Sequence, residues 1–294
     1  VTHHTEPIIV DADIPDGSRT PVNVFPGGER PLVVLWPGFG VGASYYRPIA
    51  AELAARGFPS AIGELRGQGA STARAGRHAS WGYFELATQD YRLVIEAAKA
   101  ELGLDESHPT VLLTHSLGGQ VATAFLALDD APRLGVAGLF GVGSGSPYFR
   151  TFEGNTRVRI RVGASLFALG NRLFGHWPGA IAGIDPVGYG RQPARLMADW
   201  RHLALHNSFE HVFDGHGVAD HRAALAGVEA PVLFTRFEND EMCPLASSQA
   251  LAGHLPNAEV GCEELPGRLG HNRWAREPQI VADRFERFLE DNGI

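Results

Sequence analysis

The 294-residue sequence predicts an α/β fold: a mostly parallel central sheet, helices on both of its faces, and one long insertion. Three observations carry this. Short continuous apolar runs, such as Leu32–Trp36 and Thr110–Thr114, have the pattern of strands buried on both faces. Segments with apolar residues at helical spacing alternate with these runs along most of the chain. From about Pro147 to Ala224 the rhythm breaks, and a stretch rich in Arg, His, Phe and Trp replaces it.

Turn signals at Asp16-Gly17 and Pro26-Gly27-Gly28 bracket Arg19–Phe25 as the second arm of an N-terminal hairpin. The Leu32–Trp36 strand ends at Pro37-Gly38-Phe39-Gly40. Ser44–Arg56 has helical periodicity and stops at Gly57, and Phe58–Ile62 is a second short buried strand. Leu86–Leu102 reads as one helix. The strand Thr110–Thr114 leads through His115-Ser116-Leu117-Gly118-Gly119 into a helix over Gln120–Leu128. Gly135–Phe140 is a fourth strand. Alternation returns with the strand Val232–Thr235, a helix near Leu245–His254, a last strand Ala258–Leu265 and a terminal helix Gln279–Glu290. Residues 1–146 and 226–294 therefore read as the core, and 147–225 as an inserted lid over one end of the sheet.

Composition narrows the function classes. Hydrophobic residues make up 44% of the chain and charged residues 20%, enough apolar matter for a full core. The net charge of −8 implies no general affinity for nucleic acid or anionic membranes. No apolar run approaches the roughly 18 residues of a membrane span, so no stable insertion is expected. The two cysteines, Cys243 and Cys262, form no framework, and Val1–Pro7 lacks a signal-peptide pattern. A reducing, cytoplasmic setting follows as an expectation.

The chemistry centres on Ser116. A buried strand, a sharp turn and a helix are the context of a nucleophile elbow, which lifts a Ser clear of the sheet. Residues two positions away on either side must be small. Gly118 is, and Thr114 stands where Gly is usual. A Ser hydroxyl needs an imidazole to take its proton, and the imidazole needs a carboxylate to orient it. In elbows of this kind the chain order is Ser, acid, His. Asp240 leaves the strand Val232–Thr235, with Pro244 closing the loop, and is preferred over Glu238 and Glu241. His271, in Leu269-Gly270-His271-Asn272, follows the last strand. The oxyanion donors expected are the N–H groups of Leu117 and Phe39.

Together, Pro37-Gly38-Phe39-Gly40, Gly63-Glu-Leu-Arg-Gly67-Gln-Gly69-Ala-Ser71, His115–Gly119, Asn239-Asp240 with Pro244, and Gly270-His271 resemble the α/β-hydrolase superfamily across about residues 30 to 290. The second of these is similar to an Arg-Gly-x-Gly-x-Ser segment of that family. Tyr45-Tyr46-Arg47, Trp81 with Asp90, Gly118-Gly119-Gln120, Gly188-Tyr189-Gly190 and Trp200 resemble a poorly characterised bacterial group within it. The resemblance implies ester, thioester or amide hydrolysis through an acyl-enzyme, with no metal or organic cofactor. The expected partner is a small to medium apolar ester or thioester.

Other features bear on the substrate. Phe149, Phe167, Phe174 and Trp177 in the insertion are expected to line an acyl pocket, with packing of the lid as the alternative. Arg157, Arg159 and Arg161 present either an anion site or a solvated face. His202 and His206, four apart, lack the H-E-x-x-H signature, and no metal site is assigned. Gly38-Phe-Gly40-Val-Gly-Ala43 followed by Glu64 matches a dinucleotide fingerprint, keeping an oxidoreductase as one alternative. A binding protein without turnover on a hydrolase scaffold is the other.

Overall fold

The computed structural model describes residues 6–180, 185 and 188–294. Residues 1–5, read above for the lack of a signal pattern, and residues 181–184, 186 and 187, within the expected insertion, lie outside the described residues.

Eight strands form one sheet. They are β1 (Ile8–Asp13), β2 (Arg19–Phe25), β3 (Leu32–Trp36), β4 (Ser60–Ile62), β5 (Thr110–His115), β6 (Val136–Val142), and, after a two-stranded pair β7 (His176–Trp177) and β8 (Gln192–Pro193), β9 (Val232–Phe237) and β10 (Val260–Leu265). The order is β1-β2-β4-β3-β5-β6-β9-β10. The N-terminal hairpin pairs antiparallel, as does β2 with β4, and every other pairing in this sheet is parallel.

The central strands are buried on both faces because alternate side chains enter two separate cores. Val34 and Leu112 face one core, with Val94, Ile95, Val121 and Phe125 from the helices Arg92–Leu102 and Leu117–Leu126. Val33, Leu35, Val111 and Leu113 face the other, with Ile49 and Leu53 from Arg47–Ala55 and Val281 and Phe285 from Gln279–Asn292. An apolar run with no alternation is what such a two-faced position requires.

Two elements depart from the sequence reading. The expected single helix over Leu86–Leu102 is a short turn at Tyr83–Glu85, a π-helical segment Leu86–Tyr91 and an α-helix Arg92–Leu102. The buried carboxylate of Asp90 lies in the π turn and is held by Arg66 Nη2 at 2.5 Å. Apolar spacing cannot reveal a π turn anchored by a distant arginine. The helix after Ser116 also starts at Leu117 rather than Gln120, with no linker. Between β6 and β9 lie the long helix Gly154–Phe174, the β7–β8 pair, and the helices Ala194–His206, Glu210–Phe213 and His221–Ala226. Among the described residues, no helix is long and apolar enough to cross a membrane.

Candidate active site

Ser116 joins β5 to its helix with φ 51° and ψ −118°, a conformation that a residue with a Cβ rarely adopts. The surroundings force it. A Cβ on Gly118 would lie 2.8 Å from the Trp36 carbonyl oxygen, and one on Gly119 2.4 Å from Ser144 Oγ. Both glycines let the elbow close against β3 and β6. Thr114 fits at the usual Gly position because its hydroxyl sits 3.3 Å from Ser144 Oγ, in space that Gly119 leaves open.

Asp240 and His271 arrive from the loops after β9 and β10. His271 Nδ1 lies 2.8 Å from Asp240 Oδ2 and 3.0 Å from Oδ1. Asp240 is buried, and its Oδ1 accepts from the N–H groups of Met242 and Cys243, each at 3.0 Å. Of its rivals, Glu238 is exposed and pairs with Arg268 at 3.4 Å, while Glu241 faces a cavity. Ser116 N–H donates to Val142 O at 3.3 Å, and a Cβ on the adjacent Gly143 would lie 2.9 Å from His271 Nδ1 and 3.0 Å from Asp240 Oδ2. Ser116 and the His–Asp pair thus abut the same corner of the β6 loop. Among the described residues the Ser116 hydroxyl makes no hydrogen bond of its own.

The acid loop is held by a residue that the sequence reading missed. Buried Arg236, inside β9, donates to the backbone oxygens of Cys243 (2.7 Å), Glu238 (2.9 Å) and Asp240 (3.0 Å) and pairs with Glu264 on β10. One guanidinium therefore folds the loop 238–243 around the carboxylate of Asp240. A long cation in a strand otherwise buried on both faces was its only sequence signal.

The loop after β3 is clamped at three points. Gly38 N–H donates to the Tyr46 hydroxyl (2.9 Å), Gly40 N–H to Gln68 Oε1 (2.5 Å) and Ala43 N–H to Glu64 Oε1 (2.9 Å). The N–H of Phe39, between the first two, has no protein acceptor among the described residues, and neither has that of Leu117. The Tyr46 hydroxyl also hydrogen-bonds His115 Nδ1 at 2.6 Å. His115 is buried beneath the elbow, with its ring 4.6 Å from that of His271. Burial, and secondarily His271, holds its pKa well below the usual value, so this imidazole is neutral. Glu64 is 3% exposed and also accepts from Ala70 N–H at 3.2 Å. Burial raises its pKa to about 7. This arrangement does not favour the dinucleotide reading, because the Gly38 and Gly40 N–H groups are taken by Tyr46 and Gln68, and the buried Glu64 carboxyl is turned onto the Ala43 and Ala70 N–H groups rather than held open for a ribose.

A cavity of about 780 Å³ opens at Ser116. Phe167, Tyr189, Trp200, Met242, Val162 and Leu166 supply apolar wall, and Gln120 and Arg159 supply polar groups. Of the four aromatic residues expected there, Phe167 lines it and buried Trp177 packs behind it, edge-on at 4.9 Å. Phe149 and Phe174 do not line it. Phe149 packs on Tyr148 beneath Arg150 and Arg161, and Phe174 is exposed at the end of its helix. Arg157 is tied to the Phe152 carbonyl at 2.8 Å. The His202 and His206 rings lie 4.8 Å apart, and neighbouring His211 is committed to Asp199 at 2.5 Å. Among the described residues, no three His, Cys, Asp or Glu side chains are grouped to hold a metal ion.

Comparison with known proteins agrees with this architecture. Residues 27–150 match the family described as serine aminopeptidase, S33. A protein of Caulobacter segnis, provisionally named carbamate hydrolase RutD, is 27% identical over 282 residues, covering 94% of this chain and 97% of its own. An esterase from Thermogutta terrifontis superposes with a TM-score of 0.60 at 19% identity, covering 97% of this chain and 99% of its own. Esterase RhEst1 from Rhodococcus gives 0.57 at 20% identity, covering 96% and 98%. With the sheet order, the elbow and these similarities together, the chain has the α/β-hydrolase fold.

Proposed function

We propose that the chain hydrolyses a carboxylic ester or thioester of a small to medium apolar substrate through an acyl-enzyme on Ser116. The observation that carries this reading is a strained, cavity-facing Ser116 at the same corner as the His271–Asp240 pair. Ser116 Oγ attacks the carbonyl carbon as His271 Nε2 takes its proton. Asp240 holds Nδ1–H and stabilises the imidazolium. The free N–H groups of Phe39 and Leu117 bind the oxyanion, and the dipole of the Leu117–Leu126 helix adds to them. His271 then protonates the departing alcohol or thiol. In the second half it takes a proton from water, which attacks the acyl carbon, and it returns that proton to Ser116 Oγ as the acyl C–O bond breaks and the acid leaves. Residues 147–225 act as the lid over this site, with Phe167 and Trp200 against the acyl chain.

The test is a fluorophosphonate label together with aryl esters of increasing acyl length, a thioester and an aryl carbamate. The carbamate is included because of the name given to the Caulobacter relative. Wild type is expected to take the label and Ser116→Ala to refuse it, with hydrolysis reduced by at least about 10³-fold. A folded variant that keeps half the activity would sink the assignment of Ser116. A folded wild type that takes no label and turns over no substrate would favour a binding protein on this scaffold.

A further inference from the structure

Among the described residues, the helix Gly154–Phe174 leaves one face without a packing partner. Val158, Val162, Leu166, Leu169 and Leu173 are 44–58% exposed. Their spacing of four, four, three and four places them within one stripe, about 22 Å long at 1.5 Å per residue. The opposite face is the packed one, with Ala164, Phe167 and Gly170 buried. The exposed stripe is therefore additional to what holds the helix down.

Charge frames this stripe. The helix carries Arg157, Arg159, Arg161 and Arg172 and no acidic residue. Helical geometry sets Arg161 and Arg172 along one border of the stripe and Arg159 along the other. None of these four has a carboxylate within ion-pair distance among the described residues, although Arg30, Arg56, Arg66, Arg133 and Arg284 are all paired elsewhere. Glu153 sits at its N-cap, and Glu241 lines the cavity that Arg159 also lines, without pairing with it. In a chain of net charge −8, this is a local concentration of unpaired positive charge on exposed apolar surface.

We infer that this helix docks the protein, in the plane of the interface, onto a lipid bilayer bearing anionic headgroups. The leucines and valines would enter the boundary of the acyl region, while the arginines bordering them reach up to the phosphates. A second copy of the chain fits less well, because pairing two such faces would bring four unpaired arginines against four. The inference departs from what net charge alone implies, since docking depends on the field of the contacting face. Val158, Val162 and Leu166 also line the cavity at Ser116, so a docked helix would set the cavity mouth at the lipid surface.

The test is flotation of the whole protein with vesicles of equal parts phosphatidylglycerol and phosphatidylcholine, against pure phosphatidylcholine, at low and physiological salt. Wild type is expected to float with the anionic vesicles and not with the neutral ones. Leu169→Ser/Leu173→Ser, at exposed positions outside the cavity lining, should lower the bound fraction at least about tenfold. Arg161→Gln/Arg172→Gln should do the same and flatten the salt dependence. Circular dichroism and turnover of a soluble substrate should be unchanged in the leucine variant. No flotation of wild type at low salt, equal flotation of wild type and leucine variant, or a solution dimer that the leucine variant dissolves would each overturn the inference.

Discussion

Tyr46→Phe removes one oxygen from the centre of the clamped loop and tests whether the hydroxyl holds it. In the wild type that hydroxyl accepts from Gly38 N–H at 2.9 Å and shares a hydrogen bond with His115 Nδ1 at 2.6 Å, in a fully buried setting. The variant strands the Gly38 N–H and His115 Nδ1. Each costs about 1–3 kcal/mol when buried without a partner, and removing the hydroxyl's own desolvation offsets about 1–2, for a net loss of about 1–4 kcal/mol. For a chain of this size that is a fall in Tm of about 2–16 °C. Gly38 precedes Phe39, so a loosened Gly38 also displaces the proposed oxyanion donor. Losing such a donor outright costs about 10²–10³ in kcat, and partial displacement should cost about tenfold with KM little changed. Differential scanning calorimetry and steady-state kinetics on an aryl ester measure both. A stability loss below about 1 kcal/mol would refute the two-bond argument. A normal kcat in a destabilised variant would separate the clamp from the oxyanion site.

Two further outcomes follow from buried charge. Burial raises the Glu64 carboxyl to about 7 from an ordinary 4.5, so folding favours its protonated form. Its contribution to stability is full below the ordinary value and is lost as pH rises through 7. Wild type should therefore lose about 3 kcal/mol between pH 4.5 and 7 that Glu64→Gln does not, by urea unfolding at the two ends of that range; parallel pH curves for the two proteins would contradict this. Arg236→Met leaves three backbone oxygens of the acid loop and Glu264 without their partner, which should cost about 3–5 kcal/mol and lower kcat with it; unchanged thermal stability would mean that the loop holds Asp240 without the guanidinium.

Much of this protein was determined by its sequence alone. The apolar runs of β3, β5 and β9 lack alternation because both faces are buried, so a covered parallel sheet was readable from them. The elbow at Ser116 was readable because strand, turn and helix are contiguous, and their order is a local property of the chain. Candidates for Asp240 and His271 were readable as loop residues after strands, although Glu238 and Glu241 stood equally close in sequence. Tertiary structure separates the three carboxylates, since only packing decides which one is buried against His271 and which turns outward to Arg268. The roles of Tyr46, Glu64, Gln68 and Arg236 were likewise decided in three dimensions. Each acts on backbone groups of a loop whose path no local pattern specifies. The helix Gly154–Phe174 divides in the same way. Its apolar content was evident from the sequence, but side chains such as Phe167 and Leu169 are alike in hydropathy and differ only in which way the packed helix turns them. Hydrophobic pattern sets which residues seek burial, and the assembled chain sets which of them find it.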